Sequence, residues 1–348
     1  GWGKAMSKKI AVMGAGAIGS SVSADLTDAG LDVTVFDQWP AQVEAMKATG
    51  LHIVMPDLDL KTPMRAYHLC ELASLKQEFD IVFVAVKSYD SRWMGELIAP
   101  YLKSDGVLVG LQNSMNDDTY VSVVGRERTV GCVIELSAQI FTPGEVQRNT
   151  TRTGTWFGLG ELDGKVTPRV KELQEILSNV ATVDLTENIY GARWTKLTVN
   201  SMAMGPFGVL GIKKTDVDDF EGMFELQVKL GKEAFAVASA VGYQIEPVFG
   251  LQEDDFAGSD EQVLVTALRT LQRHTGTKSQ SASLQDSKKG RKNELEFING
   301  MVSLRGKEVG VPTPCNDAVT EIARRINKGE LKMERSNYDL LLKLASEG

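Results

Sequence analysis

The segment Trp194-Thr195-Lys196-Leu197-Thr198-Val199-Asn200 sets a lysine among apolar neighbours, with an asparagine four residues later. On a helix, positions four apart share one face, so Lys196 and Asn200 would project side by side. Burial lowers the pKa of a lysine, which lets it give or take a proton near neutral pH. Such a group suits reduction of a ketone, where hydride addition leaves an alkoxide that needs a proton. A lysine snorkelling from a helix start is the competing reading. Histidine is poorly placed to supply that proton. His52, His68 and His274 are the only three, none at metal-ligand spacing, and each reads as surface or structural.

Hydride chemistry calls for a dinucleotide, and the chain has a place for one. Gly14-x-Gly16-x-x-Gly19 follows the apolar run Ile10-Ala11-Val12-Met13 and opens a stripe of Ile18, Val22 and Leu26 at helical spacing, before a second strand near 32–36. In that context the first glycine permits the tight turn, the second lets a pyrophosphate approach the backbone, and the third lets helix and strand pack closely. Gly14, Ala15, Gly16, Ala17, Ile18 and Gly19 are thus candidate phosphate contacts at a helix N-terminus. Asp37 stands 18 residues after Gly19, where a carboxylate binds the adenosine ribose hydroxyls of NAD and repels a 2′-phosphate. NAD is therefore expected over NADP. In the competing arrangement Asp37 caps the helix beginning near Pro40 and Lys47 reaches a 2′-phosphate.

The elements that must position these groups can be read along the chain. Apolar strands near 8–13, 32–36, 81–86 and 107–111 alternate with helical stretches, including one around 41–49 that ends at Gly50. That is the pattern of a parallel sheet covered on both faces, in a doubly wound α/β domain. Residues 131–160 read as extra strands with a turn at Thr142-Pro143-Gly144. From 188 onward the signals are helical, with long candidates at 216–241, 286–303 and 316–327. The expected organisation is a Rossmann-type dinucleotide domain at 7–187 and an all-helical substrate and catalytic domain at 188–348. Lys288, Lys289, Arg291 and Lys292 read as a solvated helix face.

Composition narrows the function class. With 348 residues there is room for about two domains, and 43% hydrophobic with 24% charged residues is ordinary for a folded chain. A net charge of −8 speaks against nucleic acid as the main partner, and no apolar run is long enough to span a membrane. Cys70, Cys132 and Cys315 are odd in number and far apart, which fits neither a disulfide framework nor a metal site and points to a reducing, cytoplasmic location. Residues 1–5 read as a remnant ahead of a native Met6.

Taken together, these segments resemble the ketopantoate reductase (2-dehydropantoate 2-reductase) family. The pieces are Gly14–Gly19, Val86-Lys87, Leu111-Gln112-Asn113-Ser114-Met115, Trp194–Asn200, Leu284-Gln285-Asp286, Asn293–Gly300 and Gly310-Val311-Pro312-Thr313-Pro314, in the family's order over nearly the whole chain. The resemblance implies a Rossmann-type domain, an all-helical C-terminal domain, an active site in the cleft between them, and a homodimer built on helices of the second half. It implies that Lys196 is the catalytic lysine and that Glu294 lies by it and the cofactor. Asn113 and Asn200 position substrate, Lys87 and Asn113 lie near the cofactor, and Ala138 lines the nicotinamide.

Two positions depart from the family pattern: Met204 stands where a second pocket asparagine is common, and Ala282, flanked by Ser281 and Ser283, where a serine is common. Asp37 departs too, since many members prefer NADPH. The resulting expectation is an NAD-linked oxidoreductase acting on a 2-oxo acid/2-hydroxy acid or related ketone/alcohol pair. The alternatives are a true ketopantoate reductase, with Ser281 or Ser283 replacing the lost serine, and a non-catalytic dinucleotide sensor, against which the retained Lys196, Asn200 and Glu294 argue.

Overall fold

The structure, a computed structural model, describes residues 2–275, 286 and 290–348. The chain divides into two compact units, Gly1–Gln112 with Asn116–Ile189, and Asn113–Met115 with Tyr190–Gly348.

The first unit is built on twelve strands: β1 (Lys9–Met13), β2 (Asp32–Asp37), β3 (Leu51–Val54), β4 (Asp59–Thr62), β5 (Ala66–His68), β6 (Phe79–Val84), β7 (Leu102–Gly110), β8 (Thr129–Glu135), β9 (Ala138–Thr142), β10 (Glu145–Arg148), β11 (Trp156–Glu161) and β12 (Thr182–Leu185). Eight of them form one sheet in the order β12-β11-β8-β7-β6-β1-β2-β5, parallel throughout except for the β8–β11 pair. Strands buried on both faces need apolar residues at every position, which is why Ile10–Met13 and Ile81–Val84 read as unbroken apolar runs. The chain leaves β1 toward β2 on one side and returns to β6 on the other. The carboxyl ends of β1 and β6 therefore flank a topological switch point, where ligands of open α/β sheets bind.

The expected extra strands are present but divide between two sheets. β8 and β11 extend the large sheet, whereas β9 and β10 join β3 and β4 in a second one, ordered β4-β3-β10-β9. This second sheet is fastened to the helix Ala17–Asp28 by a buried ion pair. Arg148 of β10 donates to Asp25 at 2.5 Å, to Thr155 Oγ1 at 3.0 Å and to the Val180 carbonyl at 2.7 Å, and Arg152 also reaches Asp25.

The second unit is helical, with Ile189–Leu210, Met223–Val241, Asp260–Thr275, Asn299–Val309, Pro314–Asn327 and Asn337–Ser346 as its main elements. Ile189–Leu210 carries Pro206, which cannot donate a backbone bond to the Met202 carbonyl. The Gln227 side chain supplies the missing donor at 3.1 Å. Trp194, fully buried, anchors the same helix by donating its indole N–H to the Ala234 carbonyl at 2.8 Å. Among the described residues no helix is long and apolar enough to cross a membrane.

Three expectations need correction. The helix expected over 216–241 starts only at Met223: Gly222 has φ 82°, and Lys214–Asp219 is a tight 3-10 turn whose Asp216 carboxylate accepts the Lys213 N–H. The helix expected over 286–303 is broken. Gly290 has φ 71°, the Asn293 side chain takes the Leu295 N–H at 3.0 Å, and a short turn at Leu295–Phe297 precedes the helix from Asn299. Arg291 and Lys292 are exposed but not helical, and Lys288 and Lys289 lie outside the described residues. Trp2–Met6 is a short helix whose Ala5 is buried in the first unit's core.

Removing Arg148 would leave Asp25 buried with Arg152 as its remaining cation, and loss of one partner of a buried pair typically costs about 3–5 kcal/mol. Arg148→Ala is expected at the lower end, about 3 kcal/mol, read from the urea midpoint at constant m. A change under about 1 kcal/mol would mean that the pair does not hold the second sheet to the helix.

Candidate active site

The glycine turn closes the carboxyl end of β1. The Gly14 N–H donates to Phe36 O of β2 at 2.8 Å, and the Ala85 N–H, just past β6, donates to Met13 O at 2.8 Å. Each glycine has a distinct spatial reason. Gly14 has φ 108°, and a Cβ there would press on the Ala85 backbone and Val86 at about 3.0 Å. A Cβ on Gly19 would overlap the Gly14 carbonyl oxygen, so the helix rests directly on the turn. At Gly16 a Cβ would meet nothing within 4 Å. Gly16 is the N-cap of Ala17–Asp28, its φ of −73° is open to any residue, and no side chain caps the helix. The turn thus leaves open space in front of a helix N-terminus, the arrangement that receives a phosphate.

Asp37 ends β2 and is buried. Its Oδ1 accepts the Ala15 N–H at 2.9 Å and its Oδ2 the Trp39 N–H at 3.1 Å. The carboxylate is therefore fixed against the glycine turn and also serves the approach to the helix Pro40–Thr49. Lys47 pairs with Glu71 at 2.8 Å, and the Lys47 ammonium is held above its usual pKa first by that hydrogen bond. Lys87 follows β6 and opens the short turn Ser88–Asp90, and Ala138 begins β9. Gln42 carries no sequence signal, yet it is fully buried. It donates to the Ala15 carbonyl and Ser20 Oγ, each at 3.1 Å, and accepts the Gly144 N–H at 2.7 Å, fastening the glycine turn to the β9–β10 turn.

In the second unit, Lys196, Asn200 and Met204 lie four apart along Ile189–Leu210. Lys196 is only 7% exposed, so the snorkelling reading does not describe it. Its ammonium lies 5.8 Å from the centre of the Phe249 ring, within cation–π range. The neighbouring Thr195 hydroxyl donates to the Glu246 carbonyl at 2.8 Å and ties the Phe249 segment to the lysine's helix. Asn200 Nδ2 donates to Asn113 Oδ1 at 3.4 Å, a long contact that joins two asparagines singled out from sequence. Met204 packs, partly buried, against the cluster formed by Trp194, Leu197 and Ile298.

Glu294 is buried just ahead of the turn Leu295–Phe297. Its segment runs along the lysine's helix: Ile298 shares the Trp194 and Leu197 cluster, and Asn299 Nδ2 donates to Ser201 O at 3.0 Å. Ser281, Ala282 and Ser283 lie outside the described residues. His52 pairs with Asp59 and His68 with Glu44, the latter at 2.6 Å, so both are committed to surface contacts.

Two family models match this chain: ketopantoate reductase PanE/ApbA over residues 10–161 and its C-terminal counterpart over 188–327. The chain belongs to the ketopantoate reductase family. A 2-dehydropantoate 2-reductase from Archaeoglobus fulgidus is 26% identical over 329 residues, covering 92% of this chain and 99% of that one. A crystal structure of a family ketopantoate reductase from Ralstonia eutropha aligns with a TM-score of 0.78 at 25% identity, over 92% of this chain and 99% of that one. A D-mandelate dehydrogenase solved with NADH and anilino(oxo)acetate shares the fold, with a TM-score of 0.80 at 21% identity, covering 92% and 99% of the two chains.

Within this family member the glycine turn separates binding from folding. Gly16→Val should fill the open space, lower dinucleotide affinity at least tenfold and leave the melting temperature within a few degrees. Gly19→Ala should instead destabilise by about 1–3 kcal/mol or more, because the added carbon meets backbone rather than a mobile side chain. Calorimetry and NADH fluorescence titration of both variants check this. Equal effects on stability and affinity in both would contradict it.

Proposed function

We propose that this ketopantoate reductase family oxidoreductase reduces a 2-oxo acid or related ketone with a nicotinamide dinucleotide, NADH before NADPH, and that Lys196 donates the proton. The observation that carries the reading is the buried face on which Lys196 stands one turn from Asn200, itself bonded to Asn113. The open space at Gly16 and the bare helix N-terminus fit a pyrophosphate, which supports a dinucleotide cofactor.

When bound, the nicotinamide supplies the hydride. Lys196 holds a proton for the oxygen on which negative charge develops, with the Phe249 ring beside its ammonium. Asn200 and Asn113 hold the carbonyl and carboxylate of the substrate. Glu294 orients the lysine. Met204 makes the pocket less polar than an asparagine would, which favours a bulkier or more apolar substrate. Two relatives, from Archaeoglobus fulgidus and Pyrococcus horikoshii, are 2-dehydropantoate 2-reductases at 26% identity and keep ketopantoate itself as the second reading. Turnover of a panel of 2-oxo acids that includes ketopantoate, run with NADH and NADPH, separates the two readings. No turnover of any member would favour the dinucleotide sensor.

Lys196→Ala is expected to lower kcat by about 10²–10⁴-fold, the usual worth of acid–base catalysis, with little change in dinucleotide affinity. Near-normal kcat in that variant would remove the lysine from the mechanism.

Asp37 supports the cofactor preference. Two backbone N–H groups fix its carboxylate at the end of β2, against the glycine turn. Held in this way it cannot swing away from a 2′-phosphate. With Lys47 engaged by Glu71, that lysine is not poised as a phosphate ligand. The expected kcat/KM ratio is at least tenfold in favour of NADH, equivalent to about 1.4 kcal/mol, and Asp37→Ala should narrow it. A preference for NADPH in the unmodified protein would overturn this assignment.

A further inference from the structure

Three non-glycine residues among those described adopt positive φ: Lys76, Ser114 and Phe249. Lys76 closes a surface helix of four residues. Ser114 directly follows Asn113, and Phe249 lies by Lys196. A side chain disfavours the left-handed region, and such outliers persist where surrounding contacts over-determine them.

Ser114 has φ 77°, a value that suits glycine, yet it carries a hydroxyl. That hydroxyl donates to the Phe297 carbonyl. Phe297 closes the turn that starts at Glu294, its N–H donating to the Glu294 carbonyl at 2.8 Å. On one side of Ser114, Asn113 receives the Asn200 amide; on the other, Met115 packs against the Trp194 and Leu197 cluster. One buried hydroxyl in a disfavoured backbone conformation therefore joins the Asn113 loop to the Glu294 turn.

We propose that Ser114 is a positioning residue for the reduction, a strained tether that fixes the Asn113 side chain relative to the turn carrying Glu294. The inference rests on the reductase reading for its kinetic consequence, but the tether itself is a property of the fold. The serine is selected against the backbone's preference because only its hydroxyl makes the bond. Glycine would relax the backbone and lose the tether, whereas alanine would keep the strain and lose it.

The two substitutions separate stability from positioning. Ser114→Gly should melt no lower than the parent, while amide exchange across 113–115 and 295–298 speeds by at least about tenfold. Its kcat should fall about tenfold and its KM for the 2-oxo acid rise. Its dinucleotide affinity should stay within about threefold, since the glycine turn is untouched. Ser114→Ala should show the same exchange and kinetic losses with a lower melting temperature. Parent-like exchange and parent-like kcat in Ser114→Gly would overturn the proposal, leaving the serine a tolerated residue. Faster exchange in a protein whose parent turns over no 2-oxo acid would uphold the tether and sink the reductase reading instead.

Discussion

The first unit depends on one close approach: the helix Ala17–Asp28 meets the turn after β1 at a distance that only a missing side chain at Gly19 allows, against the carbonyl of Gly14. From that contact the helix axis points its N-terminus over the carboxyl end of the sheet. The open space at Gly16, the Ala15 N–H turned into Asp37 and the Ala15 carbonyl held by Gln42 all follow from the same placement. The ion pair of Arg148 and Asp25 keeps the helix there from its far end. The phosphate recognition proposed for this unit thus rests on backbone geometry, with few side chains needed.

The second unit solves a different problem, keeping a lysine and two asparagines ordered inside an apolar helical layer. Polar groups in such a layer must find partners or destabilise it. The structure supplies them in pairs: Asn200 with Asn113, Trp194 with the Ala234 carbonyl, Gln227 with the carbonyl that Pro206 leaves open, and Asn299 with both Ser201 and Asn316. Two backbone conformations that disfavour side chains, at Ser114 and Phe249, occur beside these groups. Strain of this kind persists only where neighbours impose it.

Much of this is legible in the residues. Apolar continuity marks β1 and β6 because both their faces are buried, and the glycine spacing marks the turn because its three steric demands are local. Lys196, Asn200 and Met204 share a face because a helix has a fixed period. What sequence hides is whatever depends on distant partners. Gln42 reads as a surface helix residue, but it is buried by Gly144, 102 positions away. β3 and β4 escape notice because short alternating strands carry little apolar signal. The break at Gly290–Asn293 is masked by good helix formers on both sides, and is set by an Asn side chain competing for the Leu295 N–H. Ser114 offers no signal at all, since its conformation is set by a carbonyl 183 residues away.

Direct hydride transfer from a dinucleotide to a carbonyl carbon is the central claim, and isotope transfer tests it most directly. NADH carrying deuterium at nicotinamide C4, on the face the enzyme uses, is mixed with the protein and the best-turned-over 2-oxo acid, and the 2-hydroxy product is weighed by mass spectrometry. The expected product is one mass unit heavier, with the label at C2 and none exchanged with solvent. Product without label from both C4-labelled forms of NADH, or no product across the 2-oxo acids tried, would contradict direct transfer.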